Sequence, residues 1–148
     1  MTTVDLPDEK ATGALAARVA KLAAPGDVIA LSGPLGAGKT VFARAFIRAR
    51  ARGVEIGDVP SPTFTLVQCY ELPGGTVWHF DCYRLRREDE AWELGIEDAF
   101  AEGISLIEWP DRIAALLPPH RLDIELSPGP SSGSRKAALS GWKARLDA

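Results

Sequence analysis

Eight consecutive residues, Gly33-Pro34-Leu35-Gly36-Ala37-Gly38-Lys39-Thr40, match G-x-x-x-x-G-K-[ST] at every fixed position. By composition alone, such a match arises in on the order of one in a few hundred chains of this length. Each residue type has a physical reason to be there. Gly33, Gly36 and Gly38, with the small Ala37, let backbone N–H groups converge on an anion without side-chain clashes. A helix starting at Lys39 adds the partial positive charge of its N-terminus. Lys39 is placed to reach the β- and γ-phosphates of a nucleotide, and Thr40 offers a hydroxyl to Mg²⁺.

Such a site needs acidic help at the end of a neighbouring strand, to hold the metal's water shell or orient an attacking water. Two carboxylates stand where this requires, Asp81 after Val77-Trp78-His79-Phe80 and Glu108 after Ile104-Ser105-Leu106-Ile107. Spacing alone does not rank them. Ser61-Pro62-Thr63 lies where many nucleotide hydrolases keep a switch segment, and is equally a plain turn. The common guanine-reading motif Asn-Lys-x-Asp is impossible, because the sequence contains no asparagine, so ATP is favoured. His79 reads as a hydrogen-bonded strand residue rather than a base. Arg44, Arg48, Arg50 and Arg52 read as solvated helix charge, with an RNA or acidic-partner contact as the alternative. Arg84, Arg86 and Arg87 offer a lid arginine.

The elements that position these residues follow from periodicity. Residues 8–24 read as a helix, with Leu15, Val19 and Leu22 at helical spacing and Pro25-Gly26 as its stop. Residues 27–32 read as a buried strand leading into the glycine-rich turn. Residues 39–52 read as the following helix, with Val41, Phe42, Ala45 and Phe46 inward and Gly53 as its cap. Residues 63–72 and 76–82 read as a hairpin about Pro73-Gly74-Gly75. On its second strand Trp78, Phe80 and Cys82 share one face, and Val77, His79 and Asp81 the other. Residues 87–101 read as a helix interrupted by Gly95, and 104–108 as an apolar strand. A short helix is expected after Pro110. Residues 121–127 read as a strand, 128–134 as a flexible loop, and a last short strand is expected beyond it. The sum is an α/β fold with a mixed, partly parallel sheet and an antiparallel hairpin.

Composition agrees. The 148 residues suit one domain spanning 1–148, and 46% hydrophobic with 25% charged residues excludes disorder as the main state. The net charge of −3 speaks against gripping nucleic acid unaided. No apolar run approaches the roughly 18 residues of a membrane helix, and the opening residues do not read as a signal peptide. A cytoplasmic location, no membrane contact and a monomeric state when isolated are the expectations. Cys69 and Cys82 are expected to be reduced. With the hairpin turn centred on Pro73-Gly74-Gly75, Cys69 falls across from about His79, leaving the two cysteines roughly 10 Å apart along the strands.

Four motifs in order carry a resemblance. They are Gly33 to Thr40, Ser61-Pro62-Thr63-Phe64-Thr65-Leu66-Val67, His79-Phe80-Asp81-Cys82-Tyr83-Arg84-Leu85, and Leu94-Gly95-Ile96 with Ile107-Glu108-Trp109-Pro110. From about residue 10 to residue 117 the chain resembles the bacterial TsaE (YjeE) family. The resemblance implies a three-layer P-loop NTPase fold and a small ATPase that binds ATP and Mg²⁺ and hydrolyses slowly. It implies a part in forming threonylcarbamoyladenosine at position 37 of tRNAs that read codons starting with A. TsaD and TsaB are the implied partners, with tRNA met indirectly through their complex. The ATPase is implied to reset that complex between turnovers. By matching position, Lys39 and Thr40 are the phosphate and metal contacts, and Asp81 and Glu108 the acidic pair, with Glu108 the stronger metal ligand. Ser61 and Thr63 fall in the family's switch-like segment. Thr12 matches a nucleotide contact near the first helix, and Trp109 a residue packed near the nucleotide. The resemblance fades after Leu126, leaving Ser140 and Gly141 as weak candidates from the final strand. Two other readings share the loop. One is a non-catalytic nucleotide-sensing module, and the other a small-molecule kinase, for which no acceptor motif is visible.

Overall fold

The computed structural model describes residues 1–63 and 65–147. All seven of its strands join one sheet. In chain order the elements are β1 (Thr2–Leu6), α1 (Glu9–Leu22), β2 (Val28–Ser32), α2 (Lys39–Arg50), β3 (Val67–Leu72), β4 (Gly75–Asp81), α3 (Glu90–Glu93), α4 (Ile96–Glu102), β5 (Ile104–Glu108), a 3-10 helix (Pro110–Leu116), β6 (Leu122–Pro128), β7 (Arg135–Ser140) and α5 (Lys143–Asp147). The spatial order is β1-β7-β6-β2-β5-β4-β3. β4, β5, β2 and β6 run parallel, and the strands outside them close both edges antiparallel.

Alternation along the parallel strands sorts side chains into two cores, as strand geometry dictates. One face of the sheet buries Ile29, Leu31, Val77, Ile104, Leu106 and Ile124 under α1 and α2, against Phe42 and Phe46. The other buries Val28, Phe80, Cys82 and Ile107 under Ile96 of α4 and Ile113 of the 3-10 helix. The result is a three-layer α/β/α arrangement. Asp8 starts α1, its side chain accepting from the Ala11 N–H at 2.8 Å. Gly95 in the left-handed region separates α3 from α4, where the sequence expects an interruption.

Several sequence expectations shift. The strand expected over 63–72 begins at Val67, because the Leu66 N–H turns back to the Pro62 carbonyl at 2.7 Å. Phe64 lies outside the described residues. The hairpin turn is the pair Pro73-Gly74, with Leu72 opposite Gly75, so Cys69 faces Trp78 rather than His79. Both cysteines are free, as expected. The segment read as a flexible loop is a closed turn. Gly129 N–H donates to the Ser134 carbonyl at 2.9 Å, and the Ser134 hydroxyl bridges Ser131 N–H and carbonyl at 3.0 and 2.7 Å. The edge strand β1 and the helix α5 have no counterpart in the sequence reading.

Candidate functional site

The carboxyl ends of four parallel strands meet one helix N-terminus. β2 ends at Ser32, the glycine-rich turn follows, and α2 begins at Lys39. Gly38 opens α2 at φ 101°, a left-handed conformation that favours glycine, and it provides no side-chain cap. The first N–H groups of α2 are thereby left for a ligand. Gly33, at φ 134°, has a different duty: a Cβ there would lie 2.1 Å from the Leu126 carbonyl oxygen. Ala37 turns its methyl into the core and its N–H to the Pro34 carbonyl at 3.1 Å.

The parallel pairing of β4 and β5 sets Asp81 beside Glu108. Both are buried. The Thr40 hydroxyl donates to Glu108 at 3.0 Å to Oε1 and 3.3 Å to Oε2. Asp81 Oδ1 accepts the Tyr83 N–H at 3.0 Å, and Oδ2 lies 3.5 Å from the Thr63 hydroxyl, which in turn contacts Ser61 at 2.8 Å. Burial pushes the Asp81 carboxyl above its ordinary range. The Tyr83 N–H opposes this, the nearby Glu108 adds to it, and His79 and the Thr63 hydroxyl oppose it.

Lys39 folds back on its own loop. Its ammonium donates to the carbonyls of Gly33 and Pro34 at 2.6 and 2.9 Å and lies 4.1 Å from the centroid of the Trp109 ring. Burial lowers its pKa, while Glu108, Asp81 and Asp111 act in the opposite direction. Trp109 reaches this position from a left-handed backbone at φ 59°, between the end of β5 and Pro110. Its ring also meets Tyr83 at 4.7 Å.

These groups surround a cleft of about 400 Å³ lined by Gly36, Gly38, Lys39, Thr40, Thr63, Asp81, Glu108 and Trp109 among others. Eight of the twelve site residues singled out from sequence therefore meet there, joined by Arg84 of the three expected lid arginines. Four stand elsewhere. Gly33 and Ala37 shape the loop, Ser61 supports Thr63, and Thr12 lines a smaller cavity that shares Gly38, Val41 and Arg135 with the cleft. The sequence missed Arg135. It donates to the Gly36 carbonyl at 2.9 Å and the Ser134 carbonyl at 2.8 Å, and lines both cavities. Ser140 and Gly141 are corrected by the same strand. β7 runs antiparallel to β6, with Arg135 opposite Pro128 and Ser140 opposite Asp123, so its start, not its end, reaches the loop. Gly141 instead packs where a Cβ would meet the Arg121 carbonyl at 2.2 Å. Arg50 is corrected too: it is 4% exposed, not solvated.

Among the described residues, no group of three or more His, Cys, Asp or Glu could hold a metal ion alone. Thr40 with Glu108 nonetheless fits a magnesium ion that arrives with phosphate, since that ion keeps waters and takes only one or two protein carboxylates. No helix of the described residues is long and apolar enough to cross a membrane.

A mixed sheet with a glycine-rich turn between its central strand and a helix, and carboxylates at the adjacent strand ends, defines an α/β protein of the P-loop NTPase type. Solved structures include a relative of the same shape. Bacillus subtilis YdiB superposes with a TM-score of 0.79 at 28% identity, over 99% of this chain and 88% of that one. The family model described as "Threonylcarbamoyl adenosine biosynthesis protein TsaE" matches residues 6–137, and the chain belongs to that family. Two relatives that carry the name tRNA threonylcarbamoyladenosine biosynthesis protein TsaE illustrate the distance. The Bacillus subtilis protein is 42% identical over 80% of this chain and 71% of its own length. The Rickettsia felis protein is 40% identical over 82% and 70%.

Proposed function

We propose that this chain is the ATP-binding, slowly hydrolysing subunit of the cytoplasmic machinery that forms the threonylcarbamoyl group on adenosine 37 of tRNAs reading A-starting codons. On this reading it acts on a complex of TsaD and TsaB and resets it between turnovers, meeting tRNA through that complex. The observation that carries the reading is the Thr40–Glu108 hydrogen bond inside the cleft that also holds Lys39 and Asp81. The relatives' names supply the pathway.

ATP would seat its phosphates over Gly36 to Thr40, with Lys39 leaving the Gly33 and Pro34 carbonyls for the phosphate oxygens. Thr40 and Glu108 would hold Mg²⁺, with Asp81 at its water shell. When bound, the metal neutralises charge that develops on the transferred phosphoryl group. Thr12 would contact the nucleotide from the smaller cavity beside Gly38, and Ser61 and Thr63 would sense the γ-phosphate. Trp109 would give up its cation contact as Lys39 moves. Positioning and charge stabilisation suffice for this chemistry.

The test is Mg²⁺-dependent ATP hydrolysis by the chain alone and with purified TsaD and TsaB. Stimulation by the pair supports the proposal. Turnover unchanged by the pair refutes the partnered role. Binding without turnover, even with the pair, replaces it by the nucleotide-sensing module.

A further inference from the structure

β4 places His79 on the sheet face that carries Val77 and Asp81, and its ring is fully buried. A buried imidazole needs a partner for its N–H. Nε2 lies 2.7 Å from Glu108 Oε2, whereas Nδ1 meets no hydrogen-bonding group among the described residues. A carboxylate can only accept, so the proton in that contact sits on Nε2. Glu108 is thereby gripped from two directions. Oε1 takes the Thr40 hydroxyl from α2 at 3.0 Å, and Oε2, which also lies 3.3 Å from that hydroxyl, takes the imidazole from the neighbouring strand. His79 itself does not line the cleft.

We propose that His79 is a positioning residue. Its Nε2–H turns Glu108 so that the remaining carboxylate oxygen faces Thr40 and the metal side of the cleft. This rests on the nucleotide reading above and adds to it a residue that touches neither nucleotide nor metal. The competing account is that His79 only fills space in the core. Outer groups that orient a ligand typically matter by 10- to 100-fold in metal affinity or activity, and a space filler has no reason to change either when its volume is kept.

The experiment compares wild type with His79→Leu, which keeps bulk without the donor, and His79→Gln, which returns an N–H. Three quantities are read. They are the Mn²⁺ affinity of the ADP complex by electron paramagnetic resonance, the kcat and KM for ATP, and the wild-type imidazole tautomer by NMR without nucleotide. Expected are an Nε2–H tautomer, a Mn²⁺ affinity and kcat about 10- to 100-fold lower in His79→Leu with KM for ATP little changed, and substantial recovery in His79→Gln. A bare Nε2 overturns the proposal. So does wild-type behaviour in His79→Leu, or an equal loss in both variants. If His79→Leu does not fold, the tautomer together with His79→Gln decides: wild-type-like metal affinity supports the donor role, and a full loss refutes it. Wild-type protein that binds no ATP refutes the nucleotide reading instead, a failure that leaves the nucleotide-free tautomer measurement untouched.

Discussion

Arg50 gives the sharpest quantitative test, because the sequence places it in a basic run and the structure buries it. Its guanidinium donates through one nitrogen to the carbonyls of Ala20 and Ala23 at 3.1 and 3.0 Å, and through the other to Gly74 at 3.2 Å. Ala20 belongs to the last turn of α1 and Ala23 is its C-cap, so the first two bonds satisfy carbonyls that a helix end leaves open. Replacing Arg50 by Met keeps the aliphatic bulk and removes all three. Hydrogen bonds from a charged donor contribute roughly 1.5–3 kcal/mol each when buried. Taking the two interior bonds at the low end, and nothing for the exposed Gly74, the loss is about 3 kcal/mol. For a chain of this size that lowers the melting temperature by about 6–12 °C. Arg48→Ala is the control, an exposed neighbour expected to change stability by no more than about 0.5 kcal/mol. Chemical denaturation and calorimetry read both, and ATP binding by folded Arg50→Met should match wild type, since Arg50 is remote from the cleft. A variant as stable as wild type would refute the clamp. Loss of ATP affinity at unchanged stability would refute its placement away from the site.

The other predictions follow the site and the thiols. Lys39→Ala should lose ATP turnover while its circular dichroism stays that of wild type, and hydrolysis at the wild-type rate would remove Lys39 from the site. Arg135→Ala should weaken ATP binding about 5- to 10-fold, equivalent to roughly 1–1.4 kcal/mol for the lost anchor on Gly36; isothermal titration reads it, and an unchanged affinity would make that contact incidental. Cys82 is wholly buried, and burial pushes its thiol up to about 12, whereas Cys69 is exposed. Iodoacetamide at mildly alkaline pH should therefore modify Cys69 alone in the native protein and reach Cys82 only on unfolding. Mass spectrometry counting two fast adducts on native protein would contradict the burial of Cys82 in the cluster that holds Ile96 and Ile113.

How much of this was legible beforehand depends on range along the chain. The phosphate loop was readable because its chemistry needs contiguous residues: glycines to turn, a lysine and a hydroxyl on the first helical turn. The strand and helix periods around it were readable for the same local reason, and the break at Gly95 fell where it was expected. Arg50 carried an overlooked signal. It stands four residues after Phe46 and three after Ile47, on the buried stripe of α2, while Arg48 points away. β1 was hidden because only Leu6 of its five residues is buried. Its pattern acquires meaning only beside β7, from the other end of the chain.

By itself, then, the sequence determined the glycine-rich loop of P-loop type and the elements that flank it, down to two candidate carboxylates at strand ends. The tertiary structure decided which groups meet. Parallel register puts Asp81 beside Glu108 and lets His79 reach the same carboxylate. The antiparallel return of β7 brings Arg135 to Gly36, 99 residues earlier, and carries Ser140 away. Contacts of this kind have no local pattern, because side-chain period and helix caps act within a few residues, whereas strand order and register are fixed only when the whole sheet closes over its two cores.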